Sequence, residues 1–187
     1  MKESDNVLRI FEEARVAIEK GDVVKLKELS NQTINTASRT QDPDNIATAV
    51  VIYSIGKILE RANYQALPGW KNFHKIIISS IDNSIIDLKK NDEKKFRHNM
   101  ELIRGAIGKL SGKLKAYIQE VFRKASINKA SRMYEHGVSM EQTAKLLGIT
   151  MFELASYAGR TGISDAPENK TLGAKARIKL AVEMFAK

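Results

Sequence analysis

The chain contains no cysteine among its 187 residues, which excludes structural disulfides and thiolate metal sites. Its first 20 residues carry charges throughout, where a secretion signal would need an apolar run. The apolar stretch from Ile46 to Leu59 has 14 residues, fewer than the roughly 20 that a bilayer-spanning helix needs. From these absences we expect a soluble cytoplasmic protein that has no membrane partner.

The usual catalytic and cofactor motifs are missing as well. Gly105, Gly108 and Gly112 lack the lysine and hydroxyl residue of a P-loop, and no convincing strand precedes them. No histidines and acids stand at the spacing of metal ligands, and no serine lies in a nucleophile-elbow context. We therefore expect a protein that is not an enzyme and that binds no cofactor or metal.

Basic residues outnumber acidic ones by 31 to 22, and the excess is uneven. Residues 1–91 hold 13 basic and 12 acidic side chains, whereas residues 92–187 hold 18 and 10. The second half thus has a net charge of +8, from 18 minus 10, which indicates a polyanionic partner for that half. A solvated, lysine-rich surface is the alternative that charge alone leaves open.

Helical periodicity runs along the chain and predicts an all-α fold of about eight helices. Asp42 and Pro43 are a cap and a first helical residue, so they mark the start of the helix that contains the apolar stretch Ile46 to Leu59. Further helices are predicted over residues 4–20, 23–39, 69–90 and 93–110, the last of them capped by Asp92. We expect these helices to form an N-terminal bundle domain over residues 1–111, with the apolar helix buried at its centre.

The stretch from Lys113 to Glu135 predicts another helix, which has one apolar and one basic side. The outer cations that we expect to contact phosphates are Lys113, Lys115, Arg123, Lys124, Lys129 and Arg132. This helix should begin a basic C-terminal module over residues 113–187. A turn-rich connector and a last helix, Thr171 to Ala186, should complete the module.

The stretch from Ser139 to Gly162 predicts two short helices joined by a tight turn. Ser139 with Gln142, and Thr150 with Glu153, are spaced as two capping boxes, and a glycine at 148 can end the first helix. The order of Ala144, Leu147, Gly148, Ile149 and Leu154 resembles the helix-turn-helix of prokaryotic DNA-binding regulators. Over about residues 139–163 the chain is also similar to small antitoxin-like proteins that accompany PIN-type nucleases.

The resemblance implies that the second helix of the motif enters the major groove of DNA. The side chains that would approach the groove are Thr150, Met151, Ser156 and Arg160. Few of them are the Arg, Asn, Gln or Lys that usually read base edges, so affinity should be mainly electrostatic. The leading hypothesis is therefore a nucleic-acid-binding regulator, with duplex DNA as its expected partner.

Two alternatives remain open at the level of sequence. Met151 and Phe152 are apolar at outward positions, which favours a protein-interaction module such as an antitoxin-like partner of a nuclease; a homodimer is also compatible. The third alternative is a helical-bundle ribonuclease, because Arg132 and His136 would share one helix face.

Overall fold

A computed structural model describes residues 1–161 of the chain. This part contains eight α-helices and a short 3-10 helix but no strand, which confirms the all-helical fold class predicted from the sequence. The α-helices are α1 (Ser4–Lys20), α2 (Val23–Thr40), α3 (Pro43–Leu59), α4 (Trp70–Lys89), α5 (Glu93–Gly108), α6 (Gly112–Glu135), α7 (Met140–Leu147) and α8 (Met151–Thr161), and the 3-10 helix covers Ala62–Ala66. The predicted connector after residue 161 and the predicted last helix, Thr171 to Ala186, lie outside the described residues.

Three of the helices begin at an aspartate whose carboxylate accepts a backbone hydrogen bond. Asp22, Asp42 and Asp92 bind the N–H groups of Lys25, Asp44 and Lys95 at 2.9, 2.9 and 3.1 Å. Each bond satisfies a donor that the first turn of a helix leaves unpaired. The sequence predicted these starts because an N-cap depends on residues only two or three positions apart.

The larger core includes the C-terminal half of α3, and the central place of this helix in a bundle stays a prediction. This core joins buried side chains from α1 to α6, among them Val7, Phe11, Leu26, Ile52, Ile55, Phe73, Ile77, Phe96, Ile103, Leu114 and Ile118. Helix α2 passes so close to α3 that a Cβ atom on Gly56 would lie 3.3 Å from the Cβ of Leu26. This close approach explains why a glycine stands inside a helix, where its low helix propensity is unfavourable.

A smaller core connects the other end of α2 and α3 to the C-terminal part of α6. Its buried members are Ile34, Ala37, Ile46, Ala49, Met133 and Val138, and Leu146 and Leu147 of α7 pack against them. Helix α6 therefore contributes to both cores, with Leu114 and Ile118 in the large one and Met133 in the small one. The turn between α5 and α6 coincides with the predicted boundary near residue 112, and the division into two domains stays a prediction.

None of the helices within residues 1–161 combines the length and the apolar character needed to cross a membrane.

Candidate nucleic-acid interface

Helices α7 and α8 form a tight corner at Gly148. Helix α7 begins at Ser139, whose hydroxyl accepts the N–H of Gln142 at 3.2 Å. The Gln142 side chain does not close the predicted capping box, because its amide donates to the side chain of Gln41 on the neighbouring helix end. Gly148 then ends α7 in the left-handed conformation, with φ of 65°, which a residue with a side chain adopts only at a cost. The chain thus turns sharply into α8.

The second capping box is complete and is anchored to α6. Thr150 Oγ1 accepts the N–H of Glu153 at 3.1 Å, and the Glu153 carboxylate accepts the N–H of Thr150 at 2.9 Å. The same carboxylate also receives the Arg123 guanidinium at 2.7 Å. The backbone and hydroxyl bonds of Thr150, followed by Arg123, lower the pKa of Glu153 to about 2. The start of α8 is therefore held by both local and long-range bonds.

Helix α8 buries one side and exposes the other. Leu154 and Ala158 are buried, while Met151 and Phe152 in the first turn are 53% and 82% exposed. Thr150, Ser156 and Arg160 are exposed as well. All four side chains predicted to approach a DNA groove, Thr150, Met151, Ser156 and Arg160, thus face solvent on or beside one helix.

The predicted phosphate-binding cations of α6 do not share one open face. Lys113 is exposed and Lys115 half-buried, and neither forms an ion pair within residues 1–161. Three others are paired to acids, as Arg123 binds Glu153 at 2.7 Å, Lys124 binds Glu120 at 3.1 Å and Arg132 binds Glu135 at 3.0 Å. The cations of these pairs are 48% to 74% exposed, so they can exchange a carboxylate for a phosphate.

Lys129 was predicted to face outward, and this prediction is wrong. Its side chain has no exposed surface, because α6 packs against α2 and α3 on this side. The ammonium group donates to Asn31 Oδ1 at 2.9 Å and lies 4.3 Å from the ring centroid of Tyr53. Burial, with smaller contributions from Arg132 and Lys27, lowers the pKa of Lys129 to about 7. Lys129 therefore cannot reach a phosphate from this position.

Comparison of the chain with protein-family models, curated proteins and solved structures finds no match. The resemblance of residues 139–163 to helix-turn-helix proteins thus rests on the residues of the motif, and the function has to be argued from the site.

A groove lies between α3, α6 and α8 and encloses about 880 Å³. Its aromatic lining consists of Tyr53, Tyr117, Phe152 and Tyr157; its charged lining consists of Lys57, Glu60, Arg61, Glu120, Arg123, Lys124, Glu153 and Arg160. Sequence analysis missed Tyr53, Arg61 and Tyr117 as candidate site residues. Nothing in their local sequence could have revealed them, because they line one groove with α8 only through the packing of helices that are distant in sequence.

The three carboxylates of the groove are already paired with cations. Glu60 binds Lys57 at 2.8 Å, while Glu120 and Glu153 bind the α6 cations described above. Arg61 and Arg160 form no ion pair within residues 1–161. The Arg61 guanidinium lies over Tyr117, 5.7 Å from the ring centroid, and the Arg160 Nε donates to the carbonyl oxygen of Ser156 at 3.1 Å. Both guanidinium groups keep donors for an anionic ligand.

The two side chains considered for RNA hydrolysis, Arg132 and His136, bond to different neighbours. Arg132 binds Glu135 at 3.0 Å, whereas the His136 Nε2 is 2.9 Å from Asn35 Oδ1. No cluster of three histidine or acidic side chains within the described part of the chain could hold a metal ion.

Proposed function

We propose that this protein binds nucleic acid through its C-terminal module, with DNA as the first candidate, and acts as a regulator. In this proposal α7 and α8 form the helix-turn-helix, α6 is the first helix of the three-helix module, and α8 is the helix that approaches the major groove of DNA. The observation that carries the proposal is the α7–α8 corner, whose buried side is fixed by caps and packing while its other side is open. Few short structures combine these features.

Charge supports the same proposal. The chain has a net charge of +9, and Lys113, Lys115 and Arg160 are cations of the module without an acidic partner in the described residues. Arg123, Lys124 and Arg132 can add phosphate contacts by exchanging their carboxylate partners. Because the exposed face of α8 offers little hydrogen bonding to bases, phosphate contacts should dominate the affinity.

The experiment is a fluorescence anisotropy titration of a labelled DNA duplex with the full chain at several salt concentrations. We expect binding at low salt and a steep, linear fall of log K with log salt, because each phosphate contact releases condensed counterions. Single-stranded DNA and structured RNA are titrated in parallel. If none of the three is bound at low salt, the proposal is rejected.

A protein partner is the second candidate, and one observation favours it. Met151 and Phe152 place two large apolar side chains side by side in solvent at the start of α8, and such patches often bind proteins. In this case Phe152→Ser, at a side chain that is not among those predicted to approach the DNA groove, should abolish the capture of one stoichiometric partner from native cells and leave binding of a DNA duplex unchanged. Loss of duplex binding with the partner retained would contradict this candidate. A solution mass measurement shows whether the partner is a second copy of the chain.

A further inference from the structure

The groove between α3, α6 and α8 has the composition of a site for unpaired nucleic-acid bases. Proteins bind single strands by stacking bases on aromatic side chains within a positively charged groove. Here four aromatic residues line the groove, one of which, Tyr117, is already stacked on Tyr64. The cations of the groove outnumber its carboxylates by five to three. Because all three carboxylates are engaged in ion pairs, the charge available to a ligand is positive.

Phe152 is the aromatic residue best placed to receive a base. It is 82% exposed at the rim of the groove, and within residues 1–161 it stacks on no other ring. Phe152, Ser156 and Arg160 are spaced four residues apart, so they form one stripe of α8 with a rise of about 6 Å between neighbours. The stripe thus places an aromatic surface, a hydroxyl group and a guanidinium group in succession along the groove.

The two arginines without ion pairs lie towards opposite ends of the groove. Arg61 lies over Tyr117 on α6. Arg160 stands one helical turn after Tyr157 on α8, and the Tyr157 hydroxyl accepts a hydrogen bond from Asn128 of α6. On α6, Tyr117 and Asn128 are 11 positions apart, which corresponds to about 16 Å along the helix. A strand that contacts both guanidinium groups would therefore pass the aromatic side chains between them.

We propose that this groove binds a segment of single-stranded nucleic acid, with an unpaired base stacked on Phe152 and phosphates at Arg160 and Arg61. The proposal deepens the proposed function and rests on it. A duplex keeps its bases stacked inside, so it cannot offer a base face to Phe152, whereas an unpaired strand can. The carboxylates of an acidic peptide would pair with the cations but would not stack on the ring of Phe152.

The test uses the full chain and a labelled RNA of about 12 nucleotides, which is within the range of single-strand sites. The same sequence is also prepared as DNA and as a blunt duplex. Phe152→Ser should weaken single-strand binding roughly tenfold or more, since a stacked base contributes that much, and should leave the salt slope unchanged. Arg160→Gln should reduce the slope of log K against log salt by about 0.7, the contribution of one phosphate contact on a single strand.

Matched controls come from α5, none of whose residues lines the groove. Leu102→Ser removes another exposed apolar side chain, 41% exposed, and Arg104→Gln removes another exposed arginine. Both controls should bind the RNA as the wild type does. All replaced side chains are exposed, so the far-UV circular dichroism of the variants should match that of the wild type.

Four results would overturn the inference. The first is equal weakening by the control and groove variants, which would indicate a diffuse basic surface. The second is unchanged affinity in Phe152→Ser. The third is displacement of the RNA by poly-glutamate at equal charge, which would indicate a site for acidic peptides. The fourth is duplex binding as tight as single-strand binding, which leaves the proposed function intact. Absence of binding to every strand at low salt would instead reject the proposed function itself.

Discussion

Lys129 carries its ammonium group into the interior, where burial lowers its pKa to about 7. Within residues 1–161 no carboxylate pairs with this ammonium group, and its partners there are the Asn31 side-chain oxygen and the ring of Tyr53. In the unfolded chain the pKa should return to the ordinary value of 10.5. Unfolding therefore takes up a proton between about pH 7 and pH 10.5, so the free energy of unfolding should rise with pH across that range.

We predict that Lys129→Met removes most of this pH dependence. For the wild type the free energy of unfolding should increase by about 2 to 3 kcal/mol from pH 7 to pH 9, since each pKa unit corresponds to about 1.4 kcal/mol. The variant should show a nearly flat profile and greater stability at pH 7, because a buried unpaired charge is replaced by an apolar side chain. Urea denaturation at several pH values measures both. Lys145→Met, at an exposed position, is the control and should keep the wild-type slope.

At the scale of the element, helix boundaries were predictable where local chemistry determines them. The capping interactions at these boundaries span only a few residues. Helices begin at Asp42 with Pro43 and at Asp92, and one ends at Gly148, as predicted. The orientation of α6 was less predictable, because two cores pack on it and its C-terminal part, with Ala130, Ser131 and Met133, is buried on more than one side. Lys129 stands four residues after the buried Ala125, so helical spacing alone places it on the buried side, and the prediction was wrong because it followed the charge of the residue instead of its position.

The start of α8 gives a prediction for one hydroxyl group. Thr150→Ala removes both the bond accepted from the Glu153 N–H and the bond donated to the Glu153 carboxylate. We expect a loss of about 1 kcal/mol in the free energy of unfolding, as for other N-cap residues. Thr40→Ala is the matched control, because its hydroxyl bonds to the carbonyl of Thr36 inside α2 and alanine favours a helix. Equal losses in the two variants, measured by urea denaturation, would contradict a specific role for the cap.

The Glu153 carboxylate gives a second prediction for the same helix start. Its folded-state pKa of about 2 lies below the ordinary 4.5, so its stabilising contribution is present above pH 4.5 and is lost as pH falls towards 2. Glu153→Gln should therefore lower the melting temperature near neutral pH, and the difference from the wild type should shrink on acidification. Thermal melts at a series of pH values measure this difference. A difference that stays constant with pH would count against an ionised cap.

At the scale of the whole molecule, α6 joins the parts that the sequence divides near residue 112. Leu114 and Ile118 belong to the large core and Met133 to the small one. The groove also depends on parts that are distant in sequence, because Tyr53 and Tyr117 come from helices that lie beside α8 only in the folded chain. The sequence alone predicts where the helices lie along the chain, but it does not predict which faces of distant helices converge.

We predict that the two cores unfold in one cooperative transition. Met133→Ala should lower the free energy of unfolding by about 2 to 5 kcal/mol, the usual cost of truncating a buried methionine. Trp70, the only tryptophan in the chain, lies in the large core, so its fluorescence reports on a region remote from the substitution. Fluorescence and far-UV circular dichroism should shift together in the variant. A shift in circular dichroism with unchanged Trp70 fluorescence would indicate two independent domains.

The turn from Lys109 to Gly112 exposes three of its four residues, and only Leu110 is buried. A protease that cut there would leave one fragment with α1 to α5 and another that begins with α6. Since both cores need side chains from α6, the fragments should reassociate without a covalent link. If the two fragments were co-expressed as separate chains, they would provide a split protein whose reassembly depends on the surfaces that α6 now brings together.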